Sequence, residues 1–257
     1  MIESLFSELS ALPQVEAIAL GGSRAGTHFD EKSDYDVYLY CTDSVPEEVR
    51  REILRKYCSY MEIGNHFWEY EDNCILISGI DIDILYRDLD SFTADVAGVV
   101  EQCHGRNGYT TCMWHNLRTC KVIYDRNGRL AAAKARFDIP YPKALKMDII
   151  DRNRKLLHSA MPAYEQQIRK AVLRGDLVSV NHRVSAFLES YFDLLFALNE
   201  QTHPGEKRLI ALAKEMCPLL PENFEENLKL LFRHLFTEPE KTAADLERIL
   251  TELAKIL

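Results

Sequence analysis

The chain lacks any window close to the roughly 18 to 20 unbroken apolar residues of a membrane helix. Met1 to Leu12 carries Glu3 and Glu8 where a signal peptide would start with basic residues. Together these absences predict a cytoplasmic protein with no membrane partner. Positive charge is also short: 31 basic residues face 40 acidic ones, a formal net charge of −9. Tracking a nucleic-acid duplex needs a basic surface, so that partner is disfavoured. The seven cysteines, an odd number scattered from Cys41 to Cys217, cannot make a complete disulfide framework and suit a reducing compartment. Cys103, Cys112, His115 and Cys120 are zinc-ligand types, yet no two of them form the tight Cys-x-x-Cys pair on which tetrahedral sites are usually built. His-Glu-x-x-His is absent, as are internal repeats and low-complexity runs. What remains, at 47% hydrophobic and 28% charged residues over 257 positions, is a globular chain long enough for two modest cores.

The chemistry gathers in Gly21 to Tyr40, GGSRAGTHFDEKSDYDVYLY. Val15 to Leu20 is a short β-compatible run, ended by Gly21 and Gly22 where a side chain would obstruct an approaching phosphate. No Gly-Lys-Ser/Thr follows, which excludes a P-loop. After a polar loop, Asp36 to Cys41 resumes β-favouring residues, with Val37, Leu39 and Cys41 on one face and Asp36, Tyr38 and Tyr40 on the other. Asp34 joins the Asp36 side. Two carboxylates spaced i and i+2 can grip a divalent cation, while the turn's N–H groups and the Ser23 hydroxyl can hold the phosphates that travel with it.

Gly22-Ser23 followed by Asp34-x-Asp36 resembles the signature of the DNA polymerase β-like nucleotidyltransferase superfamily. The resemblance implies an α/β (α+β) N-terminal domain with a mixed sheet, a third carboxylate on a neighbouring strand, two Mg²⁺ ions, and ATP or another nucleoside triphosphate as substrate. Gly79 to Arg87 (GIDIDILYR) offers Asp81 and Asp83, alternating with isoleucines. Asp83 is preferred because Asp83-Ile84-Leu85-Tyr86-Arg87 resembles the pattern in a group of bacterial nucleotidyltransferase-like proteins; Asp81 is the alternative. Trp114 to Gly128 and Phe196 to Leu209 resemble the same group. The first reads as a helix end, a strand at Lys121 to Tyr124 and a turn, the second as a helix–turn–helix junction.

Elsewhere in the N-terminal half, Pro46 to Tyr57 and Ser91 to Cys103 read as helices, and Phe67 to Glu71 and Cys74 to Ser78 as strands. From about Tyr141 the β signals vanish. Asp176 is placed to cap a long helix striped by Leu177, Val180, Val184, Phe187, Leu188, Tyr191, Leu195 and Leu198. Helices are expected at Glu206 to Met216, Glu222 to Phe236 and Ala243 to Leu257. These form an all-α helical bundle. The domains are therefore 1–140, catalytic, and 141–257, helical, with substrate bound in a cleft between them. His203-Pro204-Gly205-Glu206 forms a tight turn ahead of a helix N-terminus and two cations, making Lys207 a candidate triphosphate contact.

The reading is an enzyme that moves AMP from ATP to a hydroxyl of a small-molecule acceptor and releases pyrophosphate. Asp34, Asp36 and Asp83 hold the metal, and Gly22 and Ser23 bind nucleotide phosphates. The resemblance to antibiotic-modifying enzymes suggests aminoglycoside- or lincosamide-like acceptors and a further carboxylate as base. Glu189 and Asp193 are available but not distinguished from surface acids. Two alternatives stand beside this: a protein acceptor, as in antitoxin-type adenylyltransferases, and a nucleotide-binding scaffold without turnover.

Overall fold

The computed structural model describes residues 1–26, 33–67 and 69–257. The centre of the expected polar loop, 27–32, and Trp68 in the expected Phe67 to Glu71 strand lie outside the described residues. The chain divides into two compact units, Met1–Ala97 with Asn116–Ile139, and Gly98–His115 with Pro140–Leu257. The helical unit therefore takes up Gly98–His115, which precedes the boundary expected at 140.

In chain order the elements up to Phe137 are α1 (Ile2–Ser10), β1 (Val15–Leu20), α2 (Gly22–Ala25), β2 (Tyr35–Cys41), α3 (Glu47–Leu54), β3 (Cys58–Asn65), β4 (Glu71–Leu76), β5 (Asp81–Arg87), α4 (Leu89–Val100), α5 (Cys112–Thr119), β6 (Lys121–Asp125) and α6 (Arg129–Phe137). The six strands form one sheet in the order β3-β4-β5-β2-β1-β6. β2 and β5 are parallel and every other pair is antiparallel, so the sheet is mixed, as expected. A parallel pair needs a crossover connection, here α3 with the β3–β4 hairpin. β1 lies between β2 and β6, and all six of its residues are buried, which accounts for its five apolar residues; the sixth, Glu16, is paired with Arg129 at 2.8 Å.

Val37, Leu39 and Cys41 of β2 and Ile82 and Ile84 of β5 pack with Leu5 and Leu9 of α1 and Ile53 and Leu54 of α3. Each such side chain contributes about 1.5–3 kcal/mol by leaving water. The packing leaves the alternate residues of β2 and β5, the aspartates among them, on the opposite face. Two strand assignments differ from the sequence reading. β3 was not expected, because this edge strand leaves Ser59, Tyr60 and Glu62 exposed and shows little apolar alternation. The strand expected at Phe67 begins only at Glu71; Phe67 is 74% exposed, so aromatic content there reflects no packed strand.

The second unit contains α7 (Lys143–Arg154), a single π turn (Lys155–Ser159), α8 (Tyr164–Leu173), α9 (Leu177–Leu198), α10 (Leu209–Met216), α11 (Phe224–Thr237) and α12 (Thr242–Ala254). Asp176 caps α9, its carboxylate accepting from Ser179 N at 3.0 Å. Val180, Val184, Phe187, Tyr191 and Leu195 form the buried stripe, while Leu177 at the helix start is half exposed. From Ser190 to Leu198 α9 is buried on every side, as the central helix of a bundle must be. Among the described residues no helix is long and apolar enough to cross a membrane.

Candidate active site

The end of β1 and the start of β2 build the site. Gly21 N donates to Asp36 O at 2.8 Å, extending the β1–β2 ladder one residue beyond Leu20 and Val37. The chain then turns through α2. Gly22 adopts φ +55°, and a Cβ there would stand 1.7 Å from Asp36 Oδ2. A Cβ on Gly21 would stand 2.2 Å from the Tyr38 phenol oxygen. Only glycine permits this approach of the turn to the aspartate strand. The Ser23 hydroxyl is buried and has no hydrogen-bond partner among the described residues. Leaving it so costs about 1–3 kcal/mol, which a ligand oxygen would recover.

Arg24 fixes the far side of the turn. Its Nε donates to Ser33 O at 2.7 Å and Asp34 O at 3.1 Å, and its guanidinium lies 3.8 Å from the Tyr35 ring centroid. On the neighbouring parallel strand Asp83 is the register partner of Asp36. Asp34, Asp36 and Asp83, all half-buried, each offer a carboxylate oxygen within 4.8 Å of the others. Among the described residues this is the one group of three or more histidine, cysteine or carboxylate side chains arranged so that it could hold a metal. Asp81, two residues earlier, is exposed opposite Ile75 and belongs to no such group.

Asp83 is itself held. Asn73, its partner on β4, donates from Nδ2 to Asp83 Oδ1 at 2.8 Å, and Asn65 of β3 donates to Asn73 Oδ1 at 2.6 Å. Burial pushes the Glu71 carboxyl up; an Asn73 hydrogen bond opposes this, and the charges of Asp83 and Glu69 add to it. Glu71 therefore lies in the same negative field. Arg87 binds Glu69 through Nε and Nη2 at 2.8 and 2.7 Å, beneath the Tyr38 ring at 4.1 Å, and Asn116 Nδ2 donates to the Tyr38 hydroxyl at 2.5 Å. On the other face Tyr86 donates to Asp72 at 2.8 Å, where buried Arg50 also binds at 2.5 Å. The Tyr-Arg pair after Asp83 thus fastens β5 on both faces.

Asn73, Glu71 and Arg24 were not singled out in the sequence. The available signal was for Asn73 alone, a polar residue two positions from Ile75 in a strand flanking Asp83.

Residues 110–209 match the family model described as "Domain of unknown function (DUF4037)". Curated proteins give no match. Among solved structures the fold is similar to a nucleotidyltransferase-like protein from Exiguobacterium sibiricum 255-15, at 13% identity and a TM-score of 0.42, covering 100% of this chain and 74% of that one. It is also similar to an aminoglycoside 6-adenyltransferase from Bacillus subtilis, at 12% identity and a TM-score of 0.30, covering 99% and 90%.

Lys207 is in the second unit, exposed, in the turn before α10. That helix begins at Leu209, three residues later than expected, because Arg208 takes a left-handed conformation at φ +58°. His203 is a packed residue: fully buried, accepting from Gly205 N at 3.1 Å, and pushed down to about 3 by burial. Asp193 is likewise internal, accepting from Thr110 N, Thr110 Oγ1 and Asn153 Nδ2 at 2.9, 2.7 and 3.0 Å.

The donor set of the cluster is oxygen alone, and its carboxylates repel one another without a cation. Hard divalent ions such as Mg²⁺ suit it. The Ser23 hydroxyl, buried with no partner among the described residues, offers a donor for a phosphate oxygen in the turn that Gly22 brings against Asp36.

Proposed function

We propose that this protein is a metal-dependent nucleotidyltransferase that moves AMP from ATP to a hydroxyl of a small-molecule acceptor, releasing pyrophosphate. The observation that carries the reading is the approach of Gly22 to Asp36 within a cluster completed by Asp34 and Asp83. This brings a glycine turn, a buried hydroxyl with no partner among the described residues and three carboxylates to one strand end.

Asp34, Asp36 and Asp83 would hold two Mg²⁺ ions, which supply charge neutralisation at the attacking and leaving oxygens. Ser23 donates its hydroxyl hydrogen to a phosphate oxygen, and Gly22 lets the turn's backbone come close. Together they fix the triphosphate for in-line displacement, where positioning lowers the barrier. Asn73 keeps one oxygen of Asp83 occupied, so that the other is aimed at the cluster. The acceptor hydroxyl oxygen bonds to the α-phosphorus as the bond from phosphorus to the α–β bridging oxygen breaks; pyrophosphate leaves with that electron pair, and the hydroxyl proton passes to solvent.

The excess of acidic residues supports a small acceptor over a nucleic-acid backbone. Incubation with α-labelled ATP, Mg²⁺ and, separately, a metabolite extract, bulk RNA or total protein tests this. Label should enter the metabolite fraction. Label mainly in RNA or in a polypeptide would overturn the small-molecule acceptor, and label in no fraction would count against transfer itself.

A further inference from the structure

The second unit holds a cavity of about 780 Å³ that the nucleotidyl-transfer reading does not use. Its volume falls among pockets that enclose small organic molecules, roughly 300–1,000 Å³. Leu188 and Phe192 of α9, Leu209 and Ile210 of α10, and Phe232 of α11 supply apolar wall. Such a wall favours a ligand with a hydrocarbon body.

The charges on the wall are not equivalent. Glu225 is already neutralised, bonded to Lys214 and to Lys229. Glu206 and Arg208 are exposed in the turn before α10. Glu189 differs from all of these. It is half-buried on α9, it makes no ion pair or hydrogen bond among the described residues, and burial pushes its carboxyl up.

The Gly108 backbone, at φ +80°, passes close beside its stem: a Cβ there would stand 2.9 Å from Glu189 Cβ. The next residue, Tyr109, also lines the cavity and also has positive φ, at 50°. Its phenol is pushed up by burial first and then by the charges of Glu189 and Glu206, so the ring lies in the field of both carboxylates. His203 holds that ring edge-on at 4.9 Å. An aromatic ring next to a partly desolvated carboxylate favours an organic cation on both counts.

We infer that this cavity binds a small organic monocation with an apolar body, Glu189 serving as its counter-charge beside Tyr109. A neutral apolar ligand would leave Glu189 desolvated and unpaired. An anion would meet it with repulsion, and a polyhydroxylated polycation would leave the apolar wall unsatisfied. One half-buried carboxylate is too few ligands for a metal. The inference concerns the second unit alone and does not depend on the carboxylate cluster.

The test is calorimetric titration of the full chain with three matched probes, phenylbutylamine, phenylbutanol and phenylbutyrate, at neutral pH, on wild type and Glu189→Gln. The amine should bind wild type at least about tenfold more tightly than the alcohol, and the carboxylate least of all. Glu189→Gln should bring the amine to the affinity of the alcohol and leave the alcohol unchanged, which also reports an intact cavity. Equal binding of the three probes, absence of amine binding, or amine affinity unaltered in Glu189→Gln would overturn the inference. Should the variant lose the alcohol as well, the ranking of the three probes on wild type decides.

Discussion

Asp36 and Asp83 stand side by side as register partners on the one parallel strand pair of the sheet. Parallel pairing aligns the strand directions, so two carboxylates from segments more than forty residues apart reach the same sheet end. Asp34 adds a third from the approach to β2.

This relationship ranks the two acids of β5. Asp83→Asn should reduce nucleotidyl transfer by about 100-fold or more, because the carboxylate lies where charge is to be stabilised. Asp81→Asn, on the exposed side chain opposite Ile75, should stay within about twofold of wild type. Steady-state pyrophosphate release measures both, and the reverse ranking would move the site by one alternation of the strand.

Gly22→Ala should abolish transfer while Gly128→Ala should not. Both positions have positive φ, +55° and +70°, and each substitution should cost about 1–2 kcal/mol of backbone strain. Only at Gly22 would the new methyl meet Asp36 Oδ2, at 1.7 Å, whereas nothing lies within 4 Å at Gly128. Equal loss of activity in the two variants would remove the steric argument.

Arg50→Met should destabilise the first unit by about 3–5 kcal/mol, since it strands the fully buried Asp72 carboxylate. Asp72 would retain bonds from Gly64 N and Tyr86 but lose the Arg50 cation paired with it. Denaturant unfolding monitored by circular dichroism reports this. The double variant Arg50→Met/Asp72→Leu should recover a large part of the loss.

Asp193 gives the second unit a pH dependence of definite sign. Burial pushes its carboxyl up to about 6, with the Thr110 and Asn153 hydrogen bonds opposing. An unfolded aspartate titrates near 3.9. The folded state therefore binds the proton more tightly, and this group's contribution to stability is fully present below about pH 4. It is lost as pH rises through about 6, by roughly 3 kcal/mol in total. Asp193→Asn cannot titrate, so the stability of the variant relative to wild type should rise between pH 4 and 7. Unfolding midpoints measured across that range check it; a constant difference would mean that Asp193 does not titrate as the fold requires.

Much of this was legible in the sequence because the relevant signals are local. The Gly-Ser turn and the alternation of Asp36 with Val37 and Leu39 determine a strand face without knowledge of its neighbours. The Asp176 cap and the α9 stripe are equally local. What escaped depends on pairing. Asn73 becomes significant only when β4 lies beside β5 and its amide meets Asp83. β3 is an edge strand whose exposed Ser59, Tyr60 and Glu62 resemble loop residues until β4 pairs with them. In the turn at His203 to Arg208 the packing of the histidine and the left-handed Arg208, which delays the helix, depend on surroundings that the local sequence does not show. Glu189 and Asp193 share one helix and look alike in sequence; burial separates them.

The most direct measurement of the central claim is pyrophosphate release from ATP, with and without Mg²⁺, in the presence of hydroxyl acceptors, by wild type, Asp34→Ala and Asp36→Ala of confirmed circular-dichroism spectrum. The account predicts release by wild type that requires both the metal and an acceptor, and loss of about 100-fold or more in each variant. Release undiminished in both folded variants, or none from wild type with any acceptor, would contradict it.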